Sequence, residues 1–275
     1  MDNLQHLVLE GEIQSNDEVS PGHRRLVVAV SGRHEEPVPG QFAMVRVARG
    51  LDPLLARPLS FYGYRRRGGT GYMEFLYRVT GRGTRILSER CEGEELVLTG
   101  PLGRGFDIPP GARRIGLVAG GMGVAPLTYL ARYCRERASG SIRITTYVGA
   151  RTAAALVGLE ELSALSSEVV VTTDDGTYGT CGVVTAALEA DMGDLCRDGV
   201  IFFACGPRAM MARLAECLIP ARVPCQVSLE ERMACGLGAC LGCAVAVRRG
   251  DGETYASVCK DGPVFPLAEV VWEGK

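Results

Sequence analysis

Ile115-Gly-Leu-Val-Ala-Gly120-Gly-Met-Gly-Val-Ala-Pro126 decides the fold of this 275-residue chain. Its first half is an apolar run that reads as a buried strand, and its second half is a glycine-rich turn leading into a helical pattern. Gly120, Gly121 and Gly123 let the backbone approach a pyrophosphate. The following helix points its N–H groups and positive dipole end at the same spot. Pro126 replaces the third glycine of the usual fingerprint and suits a first-turn helix position, where its missing N–H removes no helical bond. Alone, such a turn is weak evidence of nucleotide binding. Here it opens a series of apolar strands, Ile115–Ala119, Ile142–Val148, Val169–Thr173, Val200–Ala204 and Cys225–Ser228, separated by helical patterns. That alternation predicts a parallel, doubly wound α/β sheet and strengthens the nucleotide reading.

The strand ending at Ala204 runs into Cys205-Gly206-Pro207 and then a helix pattern over Arg208–Leu218. Ligands of open α/β sheets sit beyond the strand C-termini, so Cys205 is expected to face a bound cofactor. The alternative is a small buried apolar cysteine.

Upstream the pattern changes. Between Met1 and about Asp107, the short alternating runs Arg25–Val30, Phe42–Val47, Met73–Tyr77 and Glu95–Thr99 are separated by Gly/Pro turns, which predicts a small antiparallel β-barrel. Two segments stand out within it. In Arg57-Pro58-Leu59-Ser60, the arginine can grip a diphosphate with two nitrogens and the serine hydroxyl can bond a flavin ring atom. Leu76-Tyr77-Arg78, followed by Gly81-x-Gly83-Thr84, offers a second arginine and a turn suited to phosphate. Taken singly, each is an ordinary turn or strand end.

Downstream, four cysteines read Cys235-x4-Cys240-x2-Cys243-x15-Cys259. A [2Fe–2S] cluster needs four thiolates on two irons, and a tight C-x4-C-x2-C loop plus one distant cysteine is the plant-type ferredoxin spacing. Gly236, Gly238 and Gly242 allow the loop to fold closely and aim N–H groups at the sulfurs. A structural zinc site is the alternative, but such sites more often use two short C-x2-C knuckles or add histidine. The chain is thus expected to have three parts: residues 1–107 as a barrel, 108–223 as the α/β domain and 224–275 as a cluster subdomain.

Composition excludes several function classes. A formal net charge of −2 offers no large basic surface for nucleic acid. The longest apolar run, Ile115 to Ala131, is broken by glycines and Pro126, so no membrane span is expected. The three histidines, His6, His23 and His34, all lie near the N-terminus, which leaves little for a histidine-dependent hydrolase site. Eleven cysteines without a basic-then-apolar leader in MDNLQHLVLE suggest a reducing cytoplasm.

Together these motifs resemble the ferredoxin-reductase superfamily over nearly the whole chain. Within it, the segment Ser228-Leu-Glu-Glu-Arg-Met-Ala-Cys-Gly-Leu-Gly-Ala-Cys-Leu-Gly-Cys243 resembles the electron-transfer subunits of NAD-dependent dihydroorotate dehydrogenases. The resemblance implies FAD in the barrel, with Arg57 and Thr84 on the pyrophosphate, and Pro58, Leu59 and Gly83 beside the flavin nucleotide. It further implies Ser60 near the reactive flavin edge and Leu76, Tyr77 and Arg78 along the nucleotide. NAD(H) would lie on Gly120, Gly121, Gly123 and Pro126, with Cys205, Gly206 and Pro207 by the nicotinamide; Ser60 and Cys205 would be the residues nearest the chemistry. Cys235, Cys240, Cys243 and Cys259 would bind the cluster. One departure is Leu59, where the superfamily's R-x-Y-S signature has a tyrosine.

Such a layout is a relay: NADH yields two electrons as hydride and a cluster takes one at a time, so a flavin, which does both, must stand between them. No residues remain for a (β/α)8 substrate domain of about 250 residues. The resemblance therefore implies an FMN-containing dihydroorotate dehydrogenase catalytic subunit as partner, in a heterotetramer of two copies of each, serving pyrimidine biosynthesis. The same motifs serve sister subunits of sulfide dehydrogenase, sulfite reductase, hydrogenase or NADPH:ferredoxin complexes, which remain the alternative. A metal-binding regulator is a third reading.

Overall fold

Residues Val8–Ser20 (β1) and His23–Val30 (β2) pair as a long antiparallel hairpin. The start of β1 alternates strictly, with Leu9, Gly11 and Ile13 buried and Val8, Glu10 and Glu12 exposed, as a strand with one face on a core must. The computed structural model describes residues 8–50, 52–137, 142–195, 199–250 and 252–272. Four further strands, Phe42–Arg46 (β3), Arg57–Arg67 (β4), Thr70–Arg78 (β5) and Glu95–Leu102 (β6), close a barrel in the order β1-β2-β5-β4-β3-β6. A short helix, Arg82–Ser88 (α1), lies between β5 and β6. Ile13, Leu26, Phe61, Phe75 and Leu98 fill the interior, each fully buried and each contributing about 1.5–3 kcal/mol by leaving water.

The alternating runs of the sequence coincide with β2, β3, β5 and β6. Strands β1 and β4 lie outside them. In β4 a register shift between Phe61 and Gly63 breaks the two-residue period, and the strand ends on the exposed run Arg65-Arg66-Arg67.

The α/β part follows the expected alternation: Arg114–Gly120 (β7), Val124–Arg137 (α2), Arg143–Ala150 (β8), Leu159–Leu165 (α3), Glu168–Thr173 (β9), Thr180–Cys181 (β10), Val184–Leu195 (α4), Ile201–Cys205 (β11), Arg208–Leu218 (α5) and Cys225–Ser228 (β12). Its two faces bury different helices. Ile115, Leu117 and Ala119 of β7 pack with α2 and α3, whereas Val118 joins Phe202 and Ala204 of β11 against α4 and α5. The sheet is therefore covered on both sides, which is why its strands read as apolar runs.

Three more strands, Ala244–Arg249 (β13), Gly252–Ser257 (β14) and Val264–Pro266 (β15), come from the C-terminal stretch. β13 and β14 form a separate hairpin, but β15 pairs antiparallel with β12 and completes a seven-stranded sheet in the order β10-β9-β8-β7-β11-β12-β15. Without β15, the edge of β12 would expose unpaired backbone groups. Residues 224–275 thus supply two strands of the sheet as well as the cysteine loop.

Barrel and sheet are tied together directly. The Tyr129 hydroxyl of α2 donates to the Pro37 carbonyl at 2.5 Å, and Gln226 of β12 makes two bonds with the backbone of Asp107. Among the described residues no helix is long and apolar enough to cross a membrane.

Candidate functional site

A cleft of about 1010 Å3 runs between the barrel and the C-terminal ends of the parallel strands. On the barrel side it is lined by Pro58, Leu59 and Ser60 of β4 and by Leu76, Tyr77 and Arg78 of β5, with Thr84 at the start of α1. Both motif segments singled out in the barrel sequence therefore meet on one wall.

Tyr77 and Thr84 are held from behind. The Tyr77 hydroxyl donates to Asn16 Oδ1 at 2.9 Å, while the Asn16 amide donates to the carbonyls of Leu87 and Arg90 at the end of α1. Burial pushes the Tyr77 phenol up to about 12, so it stays protonated as a donor. The Thr84 hydroxyl accepts the N–H groups of Thr80 and Gly81, fixing the turn that enters α1.

Arg57 and Gly83 lie behind this wall and do not line the cleft. The Arg57 guanidinium packs on Gly83, where a Cβ would overlap it, and donates to the carbonyls of Leu55 and Ala56. Gly83 leaves the space in which Arg57 sits.

On the opposite wall the turn Gly120–Gly123 joins Gly206 and Pro207. A Cβ on Gly123 would overlap the Cys205 carbonyl, and one on Gly120 would lie 2.7 Å from the Met210 sulfur. Gly121 has φ +54° and open space around it, so backbone faces the cleft there. The walls thus present bare backbone at the ends of β7 and β11, a cradle that a side chain would fill and that suits a dinucleotide diphosphate. Pro126 is buried in the first turn of α2, behind the turn and off the cleft wall.

Cys205 departs from the expectation that it faces the cleft. Its side chain is buried in the core beside Phe203 and Ile201, and its thiol bonds Ser228. Burial raises its pKa and keeps it a neutral thiol. The reason is strand parity: β11 alternates faces, and the residue reaching the cleft is the next one, Gly206.

Several further residues line the cleft. His23 sits opposite Arg78 in the β2–β5 pairing, and Asp174 follows β9 beside Arg151 after β8. Leu229, Glu230, Glu231 and Met233 follow β12 along the cleft. Only strand pairing and sheet order bring them there.

Past Met233 the chain enters the cysteine loop. Four backbone N–H groups point at sulfur: Leu237 at Cys235 (3.4 Å), Gly238 at Cys259 (3.1 Å), Gly242 at Cys240 (3.5 Å) and Cys259 at Cys243 (3.4 Å). Gly236 and Gly238 hold φ of +72° and +78°, the left-handed conformations that turn these N–H groups inward. Cys235 contacts the Cys240 thiol, and Cys259 contacts the Cys243 thiol. Backbone N–H groups, that of Leu237 first and then those of Cys240 and Ala239, lower the Cys235 pKa to about 6. All four are free thiols. Among the described residues no three His, Cys, Asp or Glu side chains converge on a single ion position. Two thiol pairs fit a two-iron cluster, one pair per iron, better than a tetrahedral zinc ion. Cys243 and Cys259 are buried and Cys240 is exposed, which puts one side of the loop at the surface.

Comparison with known proteins agrees with this architecture. Residues 230–271 match the family model described as the iron-sulfur cluster binding domain of dihydroorotate dehydrogenase B, and residues 117–216 match the oxidoreductase NAD-binding domain. The chain is 41% identical over 86% of its length, and 87% of the relative's, to the dihydroorotate dehydrogenase B (NAD(+)) electron transfer subunit of Desulforamulus reducens. It is 42% identical over 86% of its length, and 89% of the relative's, to that of Caldanaerobacter subterraneus subsp. tengcongensis. Among solved structures, a chain from an NADH-dependent reduced ferredoxin–NADP oxidoreductase studied for flavin-based electron bifurcation superposes with a TM-score of 0.76 at 32% identity, covering 95% of this chain and 90% of that one. The chain belongs to the family of dihydroorotate dehydrogenase B electron transfer subunits.

Proposed function

We propose that this member of the family carries electrons between an FMN-containing dihydroorotate dehydrogenase catalytic subunit and NAD, through a [2Fe–2S] cluster and FAD, in pyrimidine biosynthesis. One observation carries the reading: a single segment lines the cleft at Leu229–Met233 and supplies the first cluster cysteine two residues later, at Cys235. Two residues span at most about 7 Å, so the cleft and the thiol loop are within direct electron-transfer reach.

In this reading Thr84 lines the FAD diphosphate with Arg57 packed behind the wall, and Arg78 lies along the nucleotide. Pro58, Leu59, Leu76 and Tyr77 bracket the flavin nucleotide, Gly83 makes room for Arg57, and Ser60 bonds the reactive edge of the ring. Gly120, Gly121 and Gly123, with Pro126 starting the helix, present backbone to NAD(H), and Gly206 and Pro207 meet the nicotinamide with Cys205 as neutral packing behind them. Cys235, Cys240, Cys243 and Cys259 ligate the irons. Bound FAD supplies the exchange between hydride and single-electron chemistry. The chain itself contributes position and exclusion of water. Residues 1–107, 108–223 and 224–275 divide these tasks.

The exposed side chains Leu237 and Leu241, beside the exposed Cys240, support this loop as the face on which the catalytic subunit docks. We take the assembly to be a heterotetramer of two copies of each subunit in the cytoplasm, a compartment suited to the ten cysteines of the described residues, none of them in a disulfide. The test is anaerobic reconstitution from separately purified subunits. Co-elution and dihydroorotate-dependent NAD reduction are expected, and the chain alone should reduce dyes with NADH but leave dihydroorotate untouched. The likeness to the ferredoxin–NADP oxidoreductase chain supports a second reading with another partner. Failure to co-elute and couple would favour it.

A further inference from the structure

An ionic cluster centred on the buried Glu74 joins the barrel to the α/β domain away from the cleft. Glu74 of β5 is 3% exposed at its side chain and meets three guanidinium groups: Arg25 of β2 at 2.6 Å, Arg65 of β4 at 3.6 Å and Arg132 of α2 at 3.8 Å. Through its other nitrogen Arg132 pairs with Glu161 of α3, and the Tyr62 hydroxyl of β4 donates to the same Glu161 at 2.8 Å. The Tyr62 ring lies between two cations, 5.4 Å from Arg25 and 5.9 Å from Arg132. Gly63 admits the arginine, since a Cβ there would overlap the Arg132 guanidinium.

Among the described residues Arg132 is the one cation of the α/β domain in this cluster, and it bridges a barrel carboxylate to an α/β carboxylate. Its helix begins immediately after the Gly120–Gly123 turn of the cleft, and the rise from Val124 to Arg132 is about 12 Å of rigid helix. On the barrel side, Tyr62 lies two residues after Ser60 on the same strand. One clasp is therefore fixed to both walls of the cleft through rigid elements, while none of Tyr62, Gly63, Glu74, Arg132 and Glu161 lines the cleft.

We infer that Arg132 is a positioning residue, whose clasp with Glu74, Glu161 and Tyr62 sets the spacing between the nicotinamide wall and the flavin wall. The inference rests on the function proposed above. The step it governs is transfer of one hydride from NADH to the bound flavin, which leaves NAD+ and a flavin reduced by two electrons. Such a step is steep in distance, so loosening the walls slows transfer more than it weakens binding on either wall.

Arg132→Met is the informative variant. Glu74 keeps Arg25 and Arg65, and Glu161 keeps Tyr62, so no buried carboxylate is left without a partner. With the full chain carrying FAD and cluster, anaerobic stopped flow at varied NADH gives the limiting rate of flavin bleaching and the NADH dissociation constant separately. The expected result is a limiting rate at least tenfold lower, a dissociation constant within threefold of wild type, unchanged FAD and iron content, and a weaker long-wavelength charge-transfer band. Arg132→Lys should recover only part of the rate, since one ammonium cannot replace two separately directed nitrogens. A limiting rate within twofold of wild type, or a dissociation constant that rises in step with the rate loss, overturns the inference. Should Arg132→Met fail to accumulate as holoprotein, Tyr62→Phe carries the same test with an expected threefold loss. A wild-type flavin that NADH does not reduce overturns the proposed function itself, and the inference with it.

Discussion

Gly238 donates its backbone N–H to the sulfur of Cys259 across 3.1 Å, joining positions 21 residues apart. The bond closes the distant cysteine onto the short loop, and it depends on the left-handed φ of +78° at Gly238. A side chain there costs roughly 1–2 kcal/mol in backbone strain. Its Cβ would lie 2.7 Å from the Lys260 side chain, which can move aside. Gly238→Ala should therefore fold, yet lose labile sulfide several-fold faster during a chelator chase. An unchanged rate would remove the N–H from the account of cluster stability.

Cys240 is an exposed thiol outside the barrel segments of the sequence. Purified wild type should carry one FAD and two irons with two labile sulfides, and Cys240→Ser should lose the cluster while keeping most of its flavin. Metal, sulfide and flavin analysis of anaerobic protein checks both. Stoichiometric zinc without sulfide would reverse the electron-carrier reading.

Gly83→Ala places a methyl group where the Arg57 guanidinium rests. The arginine must leave its carbonyl partners and its place on Gly83, so FAD affinity is expected to fall about tenfold, or about 1.4 kcal/mol. Fluorescence titration of the flavin-free protein measures it, and retained cluster content separates the effect from unfolding.

His23 and His34 are buried, and desolvation holds both imidazoles below the usual 6.5. The unfolded chain therefore binds protons at a higher pH than the native one. Their contribution to stability is complete above pH 6.5 and is lost as pH falls from there through the depressed native values. Urea midpoints should decline below pH 6.5, and His34→Gln should flatten that decline. A slope unaltered by the substitution would assign it to other groups.

Arg151 and Asp174 line the same part of the cleft, after neighbouring strands β8 and β9. An arginine attracts a 2′-phosphate and an aspartate repels it. NADH is the expected donor, with Asp174 opposing NADPH, and Asp174→Asn should raise the NADPH reduction rate about tenfold relative to NADH. Stopped-flow flavin reduction with each nucleotide reads the ratio directly.

The sequence was most legible where chemistry requires neighbouring residues. Gly120–Gly123 before a helix and the C-x4-C-x2-C loop encode their geometry locally, because backbone conformation and ligand spacing are set within a few residues. The β7 and β11 segments were equally plain, since burial on both faces makes each a nearly continuous apolar run. At Cys205 the sequence located the strand end, and parity turned Gly206 to the cleft and buried the thiol.

By itself, then, the sequence determined the barrel and sheet classes, the glycine turn, the spacing of the four cysteines and the family resemblance. Tertiary structure alone decided which side chains share the cleft, that β15 closes the sheet edge beside β12, and that Glu74, Arg132, Glu161 and Tyr62 form one clasp. The physical reason is range. Turn geometry and hydrophobic period are properties of adjacent residues, whereas a cleft wall or a buried ion cluster exists only after strands far apart in the chain have paired and two domains have met.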